Sequence, residues 1–241
     1  MIEESRQTIQ LNAGFLVSPA LVLDEDRVAA FRARLAEEGV EFEHAEEADG
    51  SVVLVRFQPS SLQVQLNTMQ VDGPEPAVVT QIVLLAAVGP DSPVPAPADF
   101  ADLAHEVTDA AREVWPEMEQ VLGWSTGTRT LFAARTEHSF QYLWEQRLGQ
   151  PIDSLGAFGR PVLGGGVRLM FPAGEGPGEQ FQAEVRVETF LEDVRWLFVE
   201  LNLASGAPEP ISAMNPTALV QTSEEFLVNR VLAFLAAPRN A

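Results

Sequence analysis

At 241 residues, with 46% apolar and 21% charged residues, the chain has the composition of a globular protein able to bury one large core or two joined halves. Its 35 Asp and Glu against 15 basic residues give a net charge of −20, which argues against nucleic acid and anionic membrane as partners. The absence of Cys removes disulfides, thiolate nucleophiles and sulfur-ligated zinc; every basic residue is Arg, so Schiff-base chemistry, pyridoxal phosphate attachment and a P-loop lysine are excluded as well.

In chain order, QTIQLNAGFLV (7–17) reads as a strand, and 23–39 as a helix with Asp24 as cap, Val28, Phe31 and Leu35 as its apolar stripe and Gly39 as its stop. Three strands follow at 51–57, 62–71 and 77–88, separated by turn residues. A Pro-rich connection (89–99) leads to a second helix carrying Phe100, Leu103, Val107, Ala111 and Val114 on one face, ended by Pro116.

The same order then recurs. A strand at 129–135 precedes a helix at 136–149, expected to be capped by Thr136 and closed by Gly149, and strands follow at 166–171, 181–190 and 194–204. The last helix opens on Asn215 and Pro216 and carries Leu219, Phe226, Leu227, Val231, Phe234 and Leu235. Corresponding positions keep a nearly constant offset, as with Val52 and Val167, Val78 and Val194, and Asp99 and Thr217. The expected fold is therefore α+β: a tandem duplication of a β-α-β-β-β-α unit, residues 1–122 and 123–241, forming one body with a mainly antiparallel sheet and helices on one face.

The glycines of VLGGGVRLMFPAGEGPGEQF (162–181) resemble a phosphate-binding loop only in composition. Such a loop stands between a strand and a helix, whereas Gly164, Gly165 and Gly166 precede a strand and Gly174, Gly176 and Gly178 join two strands, which is hairpin punctuation. His44, His105 and His138 each adjoin a Glu, but adjacent helical residues point about 100° apart and no two histidines have i, i+4 ligand spacing. WSTGT (124–128) lacks the G-x-S-x-G elbow of a serine hydrolase. Trp115, Trp124, Trp144 and Trp196 read as core or half-to-half packing. The sequence therefore suggests no cofactor, no metal and no catalytic residue; the alternative is an enzyme with an acidic divalent-metal site using Glu192, Asp193 and an acid from elsewhere in the chain, with LEDV (191–194) read as a strand bend or bulge.

Two strands carry a more specific pattern. In LQVQLN the residues Gln63, Gln65 and Asn67 alternate with Leu62, Val64 and Leu66, and in FQAEVRVE the residues Glu184, Arg186 and Glu188 alternate with Ala183, Val185 and Val187. Each strand then has one wet face, and the sheet becomes a platform for a partner. The expected function is a non-enzymatic protein-interaction module of adaptor or inhibitor/immunity type. Gln63, Gln65, Glu184, Arg186 and Glu188 would contact a protein partner, possibly a basic one. No apolar run approaches the roughly 20 residues of a membrane span, and the acidic start MIEESRQTIQ is unlike a secretory signal, so the expected location is the cytoplasm.

Overall fold

The computed structural model describes residues 5–48, 50–71, 77–89, 92–134, 136–175 and 180–236. Its first part runs β1 (Gln7–Ser18), α1 (Glu25–Glu37), β2 (His44–Ala48), β3 (Ser51–Arg56), β4 (Leu62–Val71), β5 (Ala77–Ala87) and α2 (Pro97–Val114). The second runs β6 (Gln120–Ala133), α3 (Ser139–Gln141), β7 (Gly166–Phe171), β8 (Gln182–Thr189), β9 (Trp196–Ser205), β10 (Glu209–Pro210), α4 (Pro216–Phe226) and α5 (Ala233–Ala236). α3 continues into a π-helical turn, Tyr142–Arg147, and a second π-helical turn, Leu227–Leu232, joins α4 to α5. The fold is α+β, and among the described residues no helix is long and apolar enough to cross a membrane.

The described strands all belong to one sheet of order β2-β3-β4-β5-β1-β6-β9-β8-β7, with β10 also on β6, and every pairing is antiparallel. The central pair is β1 and β6, the first strand of each expected half, and each half adds its later strands outward from that pair. Two register shifts interrupt the pairing, one between Thr8 and Gln10 and the other opposite Leu16/Val17, where Leu122 is the extra residue. Each extra residue, Ile9 and Leu122, is the third of its strand, so the two bulges occupy matching places at opposite ends of the ladder.

Local sequence explains most boundaries. The Asp24 side chain accepts from the Arg27 N–H and caps α1, the Asn215 side chain accepts from the Ala218 N–H and caps α4, and Gly39 and Gly149 follow helical segments with φ of 80° and 66°. Other expectations change. The cap of α3 is His138, whose Nδ1 accepts from the Phe140 N–H at 3.2 Å, while the Thr136 hydroxyl instead donates to the His138 carbonyl. Residues 191–195 form the turn between β8 and β9 rather than a bend within a strand. β6 begins nine residues earlier than its sequence pattern suggested, at Gln120 rather than 129, so position 122/123 falls inside it. Between β7 and β8, the residues 176–179 expected as the hairpin tip lie outside the described residues.

One face of the sheet is buried. Leu11, Phe15, Leu54, Leu66 and Leu84 pack with Val28 and Phe31 of α1 and with Phe100 and Val107 of α2; Val185, Val187, Leu197 and Leu201 pack with Leu227, Val231 and Leu235. Trp124 of β6 packs against both clusters and Val220 of α4 joins the first, so the two cores meet. Arg56 occupies an inward position of β3 at 7% exposure; its Nη2 donates to the Ser60 hydroxyl, and burial, opposed by the carboxylates of Glu106 and Glu43, pulls its pKa below the ordinary guanidinium value.

Candidate functional site: the open face of the sheet

Alternate residues on every strand face away from the helices, and the registers align them in rows. One row runs Val55, Gln63, Leu85, Asn12, Gly127, Asn202, Glu184, Met170, from β3 across to β7. The next runs Val53, Gln65, Val83, Gly14, Ser125, Ala204, Gln182. On β3, β4 and β5 this surface is an alternation of amides and branched apolar side chains without a charge, and Val53, Val55, Gln63, Gln65, Val83 and Leu85 are all half-buried. At the centre the backbone itself is nearly the surface. A Cβ on Gly127 would lie 2.5 Å from Asn202 Oδ1, 2.8 Å from the Leu201 carbonyl and 2.9 Å from Asn12 Nδ2, so only glycine lets the two asparagines close over β6.

Across β6, β9, β8 and β7 the same face is charged, and its charges cancel. Arg129 Nε donates to Glu200 Oε1 at 2.7 Å, Arg186 Nη1 to Glu200 Oε2 at 3.0 Å, Arg186 Nη2 to Glu188 Oε1 at 3.2 Å, and Arg168 reaches both oxygens of Glu184 at 2.6 and 2.9 Å. Arg129 also donates to Gln10 Oε1 at 3.0 Å, which carries the ladder onto β1. Three guanidinium groups face three carboxylates. The bond from Arg168, and then its charge and that of Arg186, hold the Glu184 carboxyl below its usual pKa.

The five residues expected from the sequence all lie on this open face, in two separate places. Gln63 and Gln65 sit in the uncharged half, while Glu184, Arg186 and Glu188 belong to the ladder. Gln63 and Glu184 share a row but are five strand spacings apart, about 24 Å at about 4.8 Å per strand. Sequence reading missed Arg129 and Glu200, because only the pairing of β6 with β9 brings them together. Glu200 is the keystone, its side chain 9% exposed between two arginines. Glu200→Gln should lower stability by about 1–2 kcal/mol, because two guanidinium groups lose their shared carboxylate; Glu188→Gln, at an exposed pair, should change it by less than about 0.5 kcal/mol. Urea denaturation of the two variants separates these outcomes.

The groups considered for metal or acid–base chemistry are dispersed. Asp193 is held by Arg195, whose Nη2 lies 2.6 Å from Oδ2, and that bond together with the Arg195 N–H brings the carboxyl down to about 2. His105 Nε2 lies 3.3 Å from Asp109 on the exposed side of α2, His44 is on the outermost strand β2, and His138 caps α3. Among the described residues no three His, Asp or Glu side chains gather as a metal site would require. On the helix side, a cleft of about 480 Å³ opens between the ends of β7 and β8 and α4, walled by Phe171, Phe181 and Phe226, with Glu225 and Arg230 at its margin. None of the five expected residues lines it.

Fold and surface together define an α+β protein with a half-covered ten-stranded antiparallel sheet, its uncovered face part amide and apolar, part neutralised charge. No protein-family model and no curated protein matches the chain in sequence.

Proposed function

We propose that this protein is a non-enzymatic, cytoplasmic interaction module, an adaptor or inhibitor, that binds a protein partner through the open face of its sheet. The observation that carries the reading is the uncharged half of that face, where Gln63 and Gln65 alternate with Val53, Val55, Val83 and Leu85. Buried centres of protein interfaces are depleted in charge, and amides beside branched apolar groups offer adaptable hydrogen bonds together with area to dehydrate. Glu184, Arg186 and Glu188, in this reading, form a rim that orients the partner while adding little net charge. The overall charge of −20 favours a basic partner and acts on the rate of encounter, which should fall as salt brings the Debye length below about 8 Å.

The tandem duplication is part of the proposal. Its support is the outward order of strands from β1 and β6 and the matching bulges at Ile9 and Leu122. Two copies of a unit, joined through their first strands, make a platform wider than either provides alone.

The test is affinity capture with three baits: the wild-type chain, Gln65→Arg/Leu85→Glu on the open face, and Asp102→Arg on the exposed side of α2. Asp102 is exposed on that side, whereas Glu224 of α4 holds Arg6 in a two-point ion pair. The expected result is a partner retained by wild type and Asp102→Arg and lost from the double variant. A partner captured equally by all three baits overturns the reading.

A further inference from the structure

The sheet has two ends, and their sequences differ in kind. At one end β2 is HAEEA, five residues all exposed, with Glu46 and Glu47 setting like charges along the open edge. Charge on a short edge strand is a usual guard against unwanted strand pairing. At the other end β7 is GVRLMF, in which Leu169, Met170 and Phe171 are 37%, 69% and 44% exposed. From Pro161 to Ala173 there is no acidic residue in a chain that has 35, and the single charge there, Arg168, is already matched by Glu184.

The backbone of β7 is open as well. Thr189 N–H donates to the Gly165 carbonyl at 3.0 Å, which fixes the phase of the ladder with β8. By antiparallel alternation Val167, Leu169 and Phe171 direct their N–H and C=O groups to β8, and Gly166, Arg168 and Met170 direct theirs outward. Among the described residues those outward groups have no backbone partner.

We propose that β7 pairs antiparallel with β7 of a second copy, with Leu169 on the two-fold axis, so that two ten-stranded sheets join into one. The self-complementary sequence of this edge fits a second copy, and charge fixes where the two can approach and in which register. Two chains at −20 repel each other over most of their surface, and the acid-free strip is where they can approach. Sliding the register one way sets Arg168 opposite Arg168; sliding it the other way sets Arg168 opposite Pro172, which has no N–H to give. With Leu169 on the axis, Arg168 and Met170 exchange both backbone hydrogen bonds on each side. Val167 then faces Phe171 and Leu169 faces its copy, all on the side of the sheet that excludes water elsewhere. Pairing two identical edges through one axis closes the assembly at a dimer, since β2 is guarded.

The edge-paired dimer stands or falls separately from the open-face reading. Sedimentation equilibrium at about 50 µM protein should give twice the 26.2 kDa of one chain for wild type. Met170→Lys should be monomeric, with self-association weakened at least tenfold, because it puts Lys opposite Arg168 of the other copy. Met170 is exposed, so its loss leaves the fold intact, which far-UV circular dichroism checks. Since the chain has no cysteine, Leu169→Cys adds a single thiol, and the facing non-hydrogen-bonded pair brings the two Cα atoms to about 4.5 Å, within disulfide reach. Under mild oxidation Leu169→Cys should form a covalent dimer at least tenfold faster than Leu163→Cys, an exposed position outside the strand. A monomeric wild type overturns the proposal. So does a dimer that survives Met170→Lys, or equal crosslinking rates at 169 and 163.

Discussion

A chain ending at residue 122 should not unfold as a cooperative unit. β1 is the middle strand of the native sheet, paired along its length with β6, and the fragment keeps only the first residues of that partner. The core of the first half is also incomplete by itself, since Met214 and Val220 belong to it and Trp124 seals its margin. α2 loses α4 and the segment leading into it, including the bond from Arg112 to the Met214 carbonyl at 3.0 Å and from Thr217 to the Ala101 carbonyl at 3.4 Å. Cutting there exposes both an apolar face and a long unpaired edge, the two features that lead to molten or aggregated fragments. Urea denaturation followed by near-UV circular dichroism should show no sigmoidal transition; a monomeric fragment with one would mean that the halves are independent domains.

The largest effect expected from a single substitution is at Trp115. Its side chain is fully buried at the end of α2, with its ring 5.3 Å from that of Phe31 on α1 and its Nε1 donating to the Val22 carbonyl at 2.9 Å. Trp115→Ala removes the largest fully buried side chain among the described residues and should cost about 3–5 kcal/mol, a large share of the roughly 5–15 kcal/mol that holds an ordinary domain folded. Trp115→Phe keeps most of the volume and should cost roughly 1–3 kcal/mol. If urea midpoints place the Ala variant within about 1 kcal/mol of wild type, the α1–α2 packing does not hold the first half together as described.

Strands with one wet face and helices with clear caps were legible in the sequence because burial imposes a period. Val28, Phe31 and Leu35 on α1, and Leu62, Val64 and Leu66 on β4, are all buried as their spacing requires. What escaped notice lay where burial imposes none. β2 is wholly exposed at an edge, so HAEEA carries no apolar alternation, and the start of β6 is rich in Gly, Ser and Thr in the middle of the sheet, where Gly127 lies under Asn12 and Asn202 of the neighbouring strands and Gly123 against the Ser205 backbone. The π-helical turns at Tyr142–Arg147 and Leu227–Leu232 had no counterpart in the 3.6-residue pattern.

The candidate surface was legible strand by strand but not as a whole. Gln63 and Glu184 carry the same signal in sequence, yet one lies in an uncharged field and the other in an ion-pair ladder. The difference comes from register, which sets Glu200 between Arg129 and Arg186 across three strands. A wet face on an acidic chain is thus not an acidic face: the ladder is neutral, and the excess of carboxylates lies elsewhere.

Photo-crosslinking in living cells tests the open-face reading most directly, since the partner need not be identified before the experiment begins. A benzophenone amino acid in place of Gln65 sits among Val53, Val83 and the other uncharged residues of that face, and the same group in place of Asp102 sits on the outer side of α2. Binding through the open face should give a discrete adduct with another protein from position 65, lost when Leu85→Glu is added, and no adduct from position 102. An adduct from position 102 alone, or none from position 65 at any expression level, would contradict it.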